Sequence, residues 1–248
     1  MSLVDAVAAA GSIPGAEATR EVKKAYSEIL SRHLAEEIAA GLRRYGFANV
    51  KPARGGPGEK EFQGGLGPKK VDVSFADEQH GLMLAVSVKC ISFAPFGKNL
   101  KNRFSDLCTE SITLHMRFPY SLICCLFALP EEADCDDAMS SQGVGLRRQE
   151  STFRRAMRLF GTIAGRRAYS DPDEKFEDFT MLRFRPAGSN REGPRVTLVD
   201  CLTEEVIGEK EYYQKVRDLY NLRNPHAPVG GDEEEVLMEE LFPEWESD

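Results

Sequence analysis

The chain reads as an α/β domain, a central β-sheet flanked by helices, on three observations. Two short segments, Lys70 to Phe75 and Leu82 to Lys89, alternate apolar and polar side chains around a polar turn, the pattern of a β-hairpin. From Glu17 to Tyr45 the apolar residues Tyr26, Leu30, Leu34, Ile38, Leu42 and Tyr45 recur at helical spacing and form one stripe. Ser121 to Leu129 is a nearly unbroken apolar run of strand length behind Pro119, which fits a buried central strand.

Taken in order, residues 1–16 are rich in Ala and Gly and read as a flexible leader. Residues 17–231 read as a single domain. In its first helix Glu37 falls inside the apolar stripe, and a carboxylate on a buried edge needs a partner or a cation. A Gly- and Lys-rich stretch follows Gly46, with a short strand near Lys60 to Gln63, and then the hairpin. A helix from about Lys98 to Met116 turns Leu100, Phe104, Leu107, Ser111, Leu114 and Phe118 inward, and His115 packs at its edge. Beside that stripe runs a polar row of Asn99, Arg103, Asp106, Glu110 and Arg117, which suits either surface ion pairs or a functional flank. After the strand Ser121 to Leu129 and a polar loop, Phe153, Met157 and Phe160 mark a helix carrying Arg154, Arg155 and Arg158. Strands at about Phe179 to Arg185 and Arg195 to Asp200 form a second hairpin, and a last helix spans roughly Lys210 to Leu222.

Composition removes several classes. The six cysteines show no C-x-x-C pair, and with four scattered histidines they build neither a zinc site nor a disulfide framework. No apolar stretch approaches the roughly 20 residues that cross a bilayer, and no signal peptide is evident, so a cytoplasmic protein without a membrane partner is expected. No G-x-S-x-G elbow occurs, and Gly64 to Lys70 is not a P-loop, because a strand follows it where a helix is required. The net charge is −8, but nine of the 40 acids stand in the tail 232–248, which has no Lys or Arg. The remainder carries 32 basic against 31 acidic residues, a balance compatible with handling nucleic acid. The tail interleaves its acids with Val236, Leu237, Leu241, Phe242 and Trp245, which suggests docking on the body or a partner.

The first hairpin carries the chemistry. Side chains alternate along a strand, so Ser87 and Lys89 share the face opposite Val86 and Val88, and Asp72 lies on the neighbouring strand. A carboxylate and a lysine at the ends of adjacent strands suit metal-dependent phosphodiester cleavage. Asp72 would hold the cation, and Lys89 would orient water or the scissile phosphate. This spacing resembles the PD-(D/E)XK superfamily of restriction-endonuclease-like nucleases, with Asp72 as first acid and Ser87-Val88-Lys89 where (D/E)-X-K is expected. The longer set GGLGPKKVDV, SVK and KNLKNR is similar to a family of uncharacterised bacterial and phage proteins related to that superfamily, over roughly residues 30 to 130.

The resemblance implies a restriction-endonuclease-like core, with a mixed β-sheet flanked by helices, and a DNA endonuclease of restriction or defence type using Mg²⁺ or Mn²⁺. A homodimer is the arrangement many enzymes that cut both DNA strands adopt. One ligand departs from the pattern, because Ser87 stands where an acid is usual. The replacement acid is a choice among Glu110, Glu37 and Glu61. Lys69, Lys70, Arg103, Arg154, Arg155 and Arg158 are the candidate phosphate contacts. Two other readings stay open: a nuclease fold that has lost its metal and serves as a binding or scaffold protein, and a structural Asp72–Lys89 ion pair in an unrelated α/β domain.

Overall fold

The computed structural model describes residues 2–135, 150–188 and 193–230. The expected docking of the 232–248 tail, most of the polar loop after the central strand and the turn of the second hairpin lie outside the described residues.

Two helices open the chain, α1 (Leu3–Ala9) and α2 (Arg20–Arg44). Four strands follow, β1 (Lys60–Gln63), β2 (Pro68–Val71), β3 (Val73–Asp77) and β4 (Gly81–Cys90). A 3₁₀ turn over Phe96–Asn99 leads into α3 (Leu100–His115), then come β5 (Leu122–Pro130) and α4 (Thr152–Gly161). The chain continues through β6 (Asp178–Arg185), β7 (Arg195–Asp200), β8 (Val206–Ile207) and α5 (Glu209–Arg223).

The six-stranded sheet has the order β3-β4-β5-β6-β7-β8, and β1 with β2 forms a separate two-stranded ribbon. β4, β5 and β6 are parallel and the remaining pairs antiparallel, so the sheet is mixed. Connection length explains this. A turn in which Asp77 Oδ1 accepts from the Gln79 amide (2.8 Å) joins β3 to β4, whereas β4–β5 and β5–β6 are linked through α3 and α4 and must cross over.

Alternation along the central strands sorts side chains into two apolar layers. Leu122, Cys124, Leu126 and Ala128 of β5 face the core under α1, α2 and α5, and Ile123, Cys125, Phe127 and Leu129 face that under α3 and α4. Every residue of β5 is buried, as expected for a parallel strand covered on both faces.

The N-terminal segment corrects the sequence reading, because residues 3–9 are a helix in the core and not a loose leader. Ser2 and Asp5 form a reciprocal capping box, and Leu3 and Val7, one turn apart, are fully buried against α2 and β7. A short run of Ala gave no apolar stripe to read, but two large residues at i and i+4 suffice once a neighbouring groove exists.

His115 is also placed differently. It is 2% exposed, and its Nε2 lies 3.2 Å from Glu177 Oε2. Glu177 further accepts from the Ile123 amide (2.8 Å) and Arg166 Nη1 (3.1 Å), and its Oε1 is ion-paired with Arg223 Nη2 at 3.1 Å. Burial pushes this carboxyl up, but His115, the Ile123 N–H and Arg223 together hold it below its ordinary value. The network ties α3, β5, α5 and the α4–β6 connection together. Glu177→Ala should therefore lower stability by about 3–5 kcal/mol, the scale for removing one partner of a buried ion pair, in urea unfolding monitored by circular dichroism. A loss below about 1 kcal/mol would mean that both guanidinium groups find other partners.

Candidate active site

The hairpin strand predicted through Asp72 is broken there. β2 pairs with β1, β3 pairs with β4, and Asp72 is the hinge residue between them. Asp72 Oδ2 accepts from the Val88 amide (2.8 Å), so the side chain supplies an acceptor where regular pairing has ended. The same oxygen lies 3.0 Å from Lys89 Nζ.

Lys89 and Ser87 project from β4 to the α3 side of the sheet, and α3 meets them with Glu110. Ser87 Oγ donates to Glu110 Oε1, while Glu110 Oε2 lies 2.9 Å from Lys69 Nζ and 3.6 Å from Lys89 Nζ. Asp72, Ser87, Lys89, Glu110 and Lys69 thus form one cluster, near the carboxyl end of a parallel strand, where ligand sites of open α/β sheets commonly lie.

Lys69 reaches this cluster because the β1–β2 ribbon presses on the end of α3. The Gly65 amide donates to the Thr113 carbonyl (2.8 Å). A Cβ at Gly64 would stand 2.4 Å from Thr113 Cγ2, and one at Gly65 would stand 2.4 Å from Met116 Cβ, so only glycine allows this approach. From the sequence alone Lys69 is a phosphate contact or a solvated lysine, and its ion pair with Glu110 is the residue role that reading missed. Long-range docking of the ribbon creates the pair, and no local pattern announces it.

The cluster opens into a cleft of about 750 Å³ whose lining includes Asp72, Lys89, Lys70 and Arg103. One wall is the polar face of α2 at Glu28, Ser31, Arg32 and Ala35. This corrects Glu37 as a metal ligand. Glu37 is 7% exposed on another face of α2, beside a separate cavity shared with Arg54 and His33. Helical phase reported its burial correctly but not which neighbour buries it. The acid that α2 turns toward the cleft is Glu28, paired with Lys24 at 3.4 Å. Glu61 is exposed on β1, opposite Lys70.

The other candidate basic residues separate into two groups. Lys70 pairs with Glu59 at 3.8 Å and Arg103 with Asp106 at 3.3 Å, both beside the cleft. Arg154, Arg155 and Arg158 do not line it. Arg155 Nη2 donates to Thr152 (2.7 Å) and its guanidinium packs near Gly97, while Arg158 pairs with Glu150 at 2.8 Å.

The electrostatics follow from burial against opposed charge. Burial pushes the Glu110 carboxyl up, but Lys89, Lys69 and the Ser87 hydrogen bond outweigh it and hold it below its ordinary 4.5. Burial pushes Lys89 down, and the Glu110 and Asp72 charges more than reverse this, so it stays an ammonium above its ordinary 10.5. Cys90, which also lines the cleft, is pushed up to about 11 by burial and offers no thiolate at neutral pH.

Asp72 and Glu110 provide two hard oxygen donors in one place. Among the described residues no group of three or more His, Cys, Asp or Glu is arranged to hold a metal ion. Mg²⁺ is commonly held by one or two carboxylates with waters and substrate phosphates completing its shell, and Asp72 and Glu110 are the two acids that approach the same Lys89 Nζ.

The charge pairing fixes a pH dependence. Glu110, with a depressed folded value, contributes stability that is present above about 4.5 and is lost as pH falls through the depressed value. Lys89, with a raised folded value, contributes stability that is complete below about 10.5 and is lost as pH rises through the raised value. Urea unfolding across pH should show Glu110→Gln with a flatter acid limb than the unsubstituted protein; identical acid limbs would show that Glu110 is not held as a carboxylate.

No family model, no curated protein and no solved structure matches this chain.

Proposed function

We propose that the chain is a metal-dependent nuclease hydrolysing DNA phosphodiester bonds, with Asp72, Glu110 and Lys89 as its reacting groups and Ser87 and Lys69 holding Glu110 in place. The single observation that carries the reading is the meeting of Asp72 and Glu110 on Lys89, from a strand break, a helix and a strand that are distant in sequence. The order of elements supports it as well. A mixed sheet flanked by helices, with the acid just before its antiparallel pair, the lysine near the end of that pair and a crossover helix leading to a parallel strand, agrees with the core that the resemblance implies.

Mg²⁺ or Mn²⁺ held by Asp72 and Glu110 would supply Lewis acidity at a phosphate oxygen and lower the pKa of a bound water. The remaining tasks fall to the chain. The Lys89 ammonium, fixed between two carboxylates, donates hydrogen bonds to the attacking water or the scissile phosphate. Ser87 spends its proton on Glu110 and so leaves the other carboxylate oxygen to face the lysines. Lys70 and Arg103 line the cleft and would meet flanking phosphates, which makes binding steeply salt-dependent.

One observation favours a second reading, a nuclease fold kept as a binding or scaffold protein. Lys69 and Lys89 already neutralise both carboxylates, so the cluster is charge-balanced without a cation. Calorimetric titration of Mn²⁺ separates the two, because the nuclease requires saturable binding that Asp72→Asn weakens and the scaffold requires none.

Activity is tested on plasmid and single-stranded DNA with Mg²⁺ or Mn²⁺. Asp72→Ala should abolish cleavage and Lys89→Ala should lower it by roughly 10²-fold or more, the scale of losing a positioned proton-handling group. Cleavage unchanged in either variant would assign the activity to a contaminant.

A further inference from the structure

The opposite end of the sheet carries a second concavity that the nuclease reading does not use. It lies at the start of β4, about 20 Å along that strand from Lys89, at roughly 3.3 Å per residue. The cavity measures about 730 Å³ and is bounded by Leu82 and Met83, the α3–β5 connection, Tyr169 and the end of α5. That volume falls within the usual range for small-molecule sites.

Its lining is aromatic and cationic. Tyr120 and Tyr169 are 62% and 48% exposed, and their rings meet edge to face at 4.9 Å. Two arginines, Arg117 and Arg223, and two histidines line it, and among the described residues no Asp or Glu does. Arg223 is the unusual member. Its side chain is 7% exposed and its guanidinium sits 4.9 Å from the Tyr169 ring centre. One terminal nitrogen, Nη2, serves Glu177 and the Arg167 carbonyl, while the other, Nη1, is buried with no hydrogen-bond partner among the described residues. That nitrogen is shielded from solvent, so a ligand acceptor reaches it only with a small shift of the side chain, and the shift would pair a donor that is costly to leave buried and unpaired. Exposed rings beside the exposed Arg117 and a second guanidinium with one spare donor suit a ligand with a flat face and a negative charge.

We propose that this cavity binds a small anion carrying a planar ring, of the nucleoside monophosphate type. The ring lies against Tyr120, and the anionic group sits on Arg223 and Arg117. The site stands apart from the Asp72 cluster, and its occupancy does not depend on the nuclease assignment.

The test is calorimetric titration of the full chain with AMP and UMP in EDTA, beside adenosine alone and inorganic phosphate alone. Saturable nucleotide binding is expected, at least about tenfold tighter than either fragment, because ring stacking and the charge-assisted bonds each contribute at least about that factor. Arg117→Ala and Tyr120→Ala, both at exposed positions and so without cost to folding, should each weaken it by about tenfold or more. No saturation up to about 1 mM nucleotide, an affinity below roughly −4 kcal/mol in strength, would overturn the proposal. So would phosphate binding as tightly as nucleotide, or unchanged affinity in both variants. A synthetic peptide of residues 232–248 that binds where nucleotide does not would also overturn it, and would assign the cavity to an acidic peptide.

Discussion

A carboxylate at 1% side-chain exposure survives as an anion only where charge and hydrogen bonds replace the water it has lost, and Glu110 meets that condition from three directions. Ser87 comes from the central sheet, Lys89 from the same strand two residues on, and Lys69 from a ribbon outside the sheet. Each contact fixes an element. The lysine and serine set how α3 lies on β4, and the Lys69 contact requires the β1–β2 ribbon to close on the end of α3, which the glycines at 64 and 65 permit. The strand break at Asp72 belongs to the same constraint, because it turns the second carboxylate toward Lys89 while β3 stays paired. Loss of any one of the four charged members would leave a charge of one sign in excess around Glu110, so the cluster behaves as a unit.

Much of this was legible in the sequence, and the part that was not has a common physical cause. Strand phase put Ser87 and Lys89 on one face, and the unbroken apolar run at 121–129 read correctly as a strand covered on both sides, because period-two alternation is a local property. The inward rows of α2 and α3 were legible for the same reason at a period of 3.6. Failures occurred where a residue's surroundings come from distant chain. Glu37 is buried, as its phase indicates, but against a cavity on the wrong side of α2. Arg166 carries no local mark of burial, yet it is 1% exposed and bound to Glu177, on which His115 and Arg223 converge from other elements. The expected loose leader at residues 3–9 became a core helix because α2 and β7 offer its two large apolar residues a groove.

The sheet interior explains why polar groups concentrate at the two ends of the strands. Along β5 alternate side chains enter one apolar layer or the other, where an ionisable group would have to bring its own partner. At the ends, connections and helix termini bring backbone and side-chain partners. The carboxyl end of β4 holds the charge-balanced Asp72 cluster, and the amino end of β5 holds the Glu177 network, in which a carboxylate with a full set of donors anchors two arginines. The first is open to a cleft lined by lysine and arginine; the second borders a small cavity lined by Arg166, Glu177 and Arg223, and Arg223 also borders the larger one beside Tyr120.

Ser87 follows from this geometry. It is fully buried, and its hydroxyl faces the Glu110 carboxylate. An acid at that position would set two carboxylates against each other in a site shielded from water, where like charges force one to take up a proton. Serine instead donates, and so stabilises the ionised form of Glu110. Serine at 87 and the carboxylate on α3 are therefore coupled: the acid stands on the helix, and the strand supplies the donor that keeps it charged.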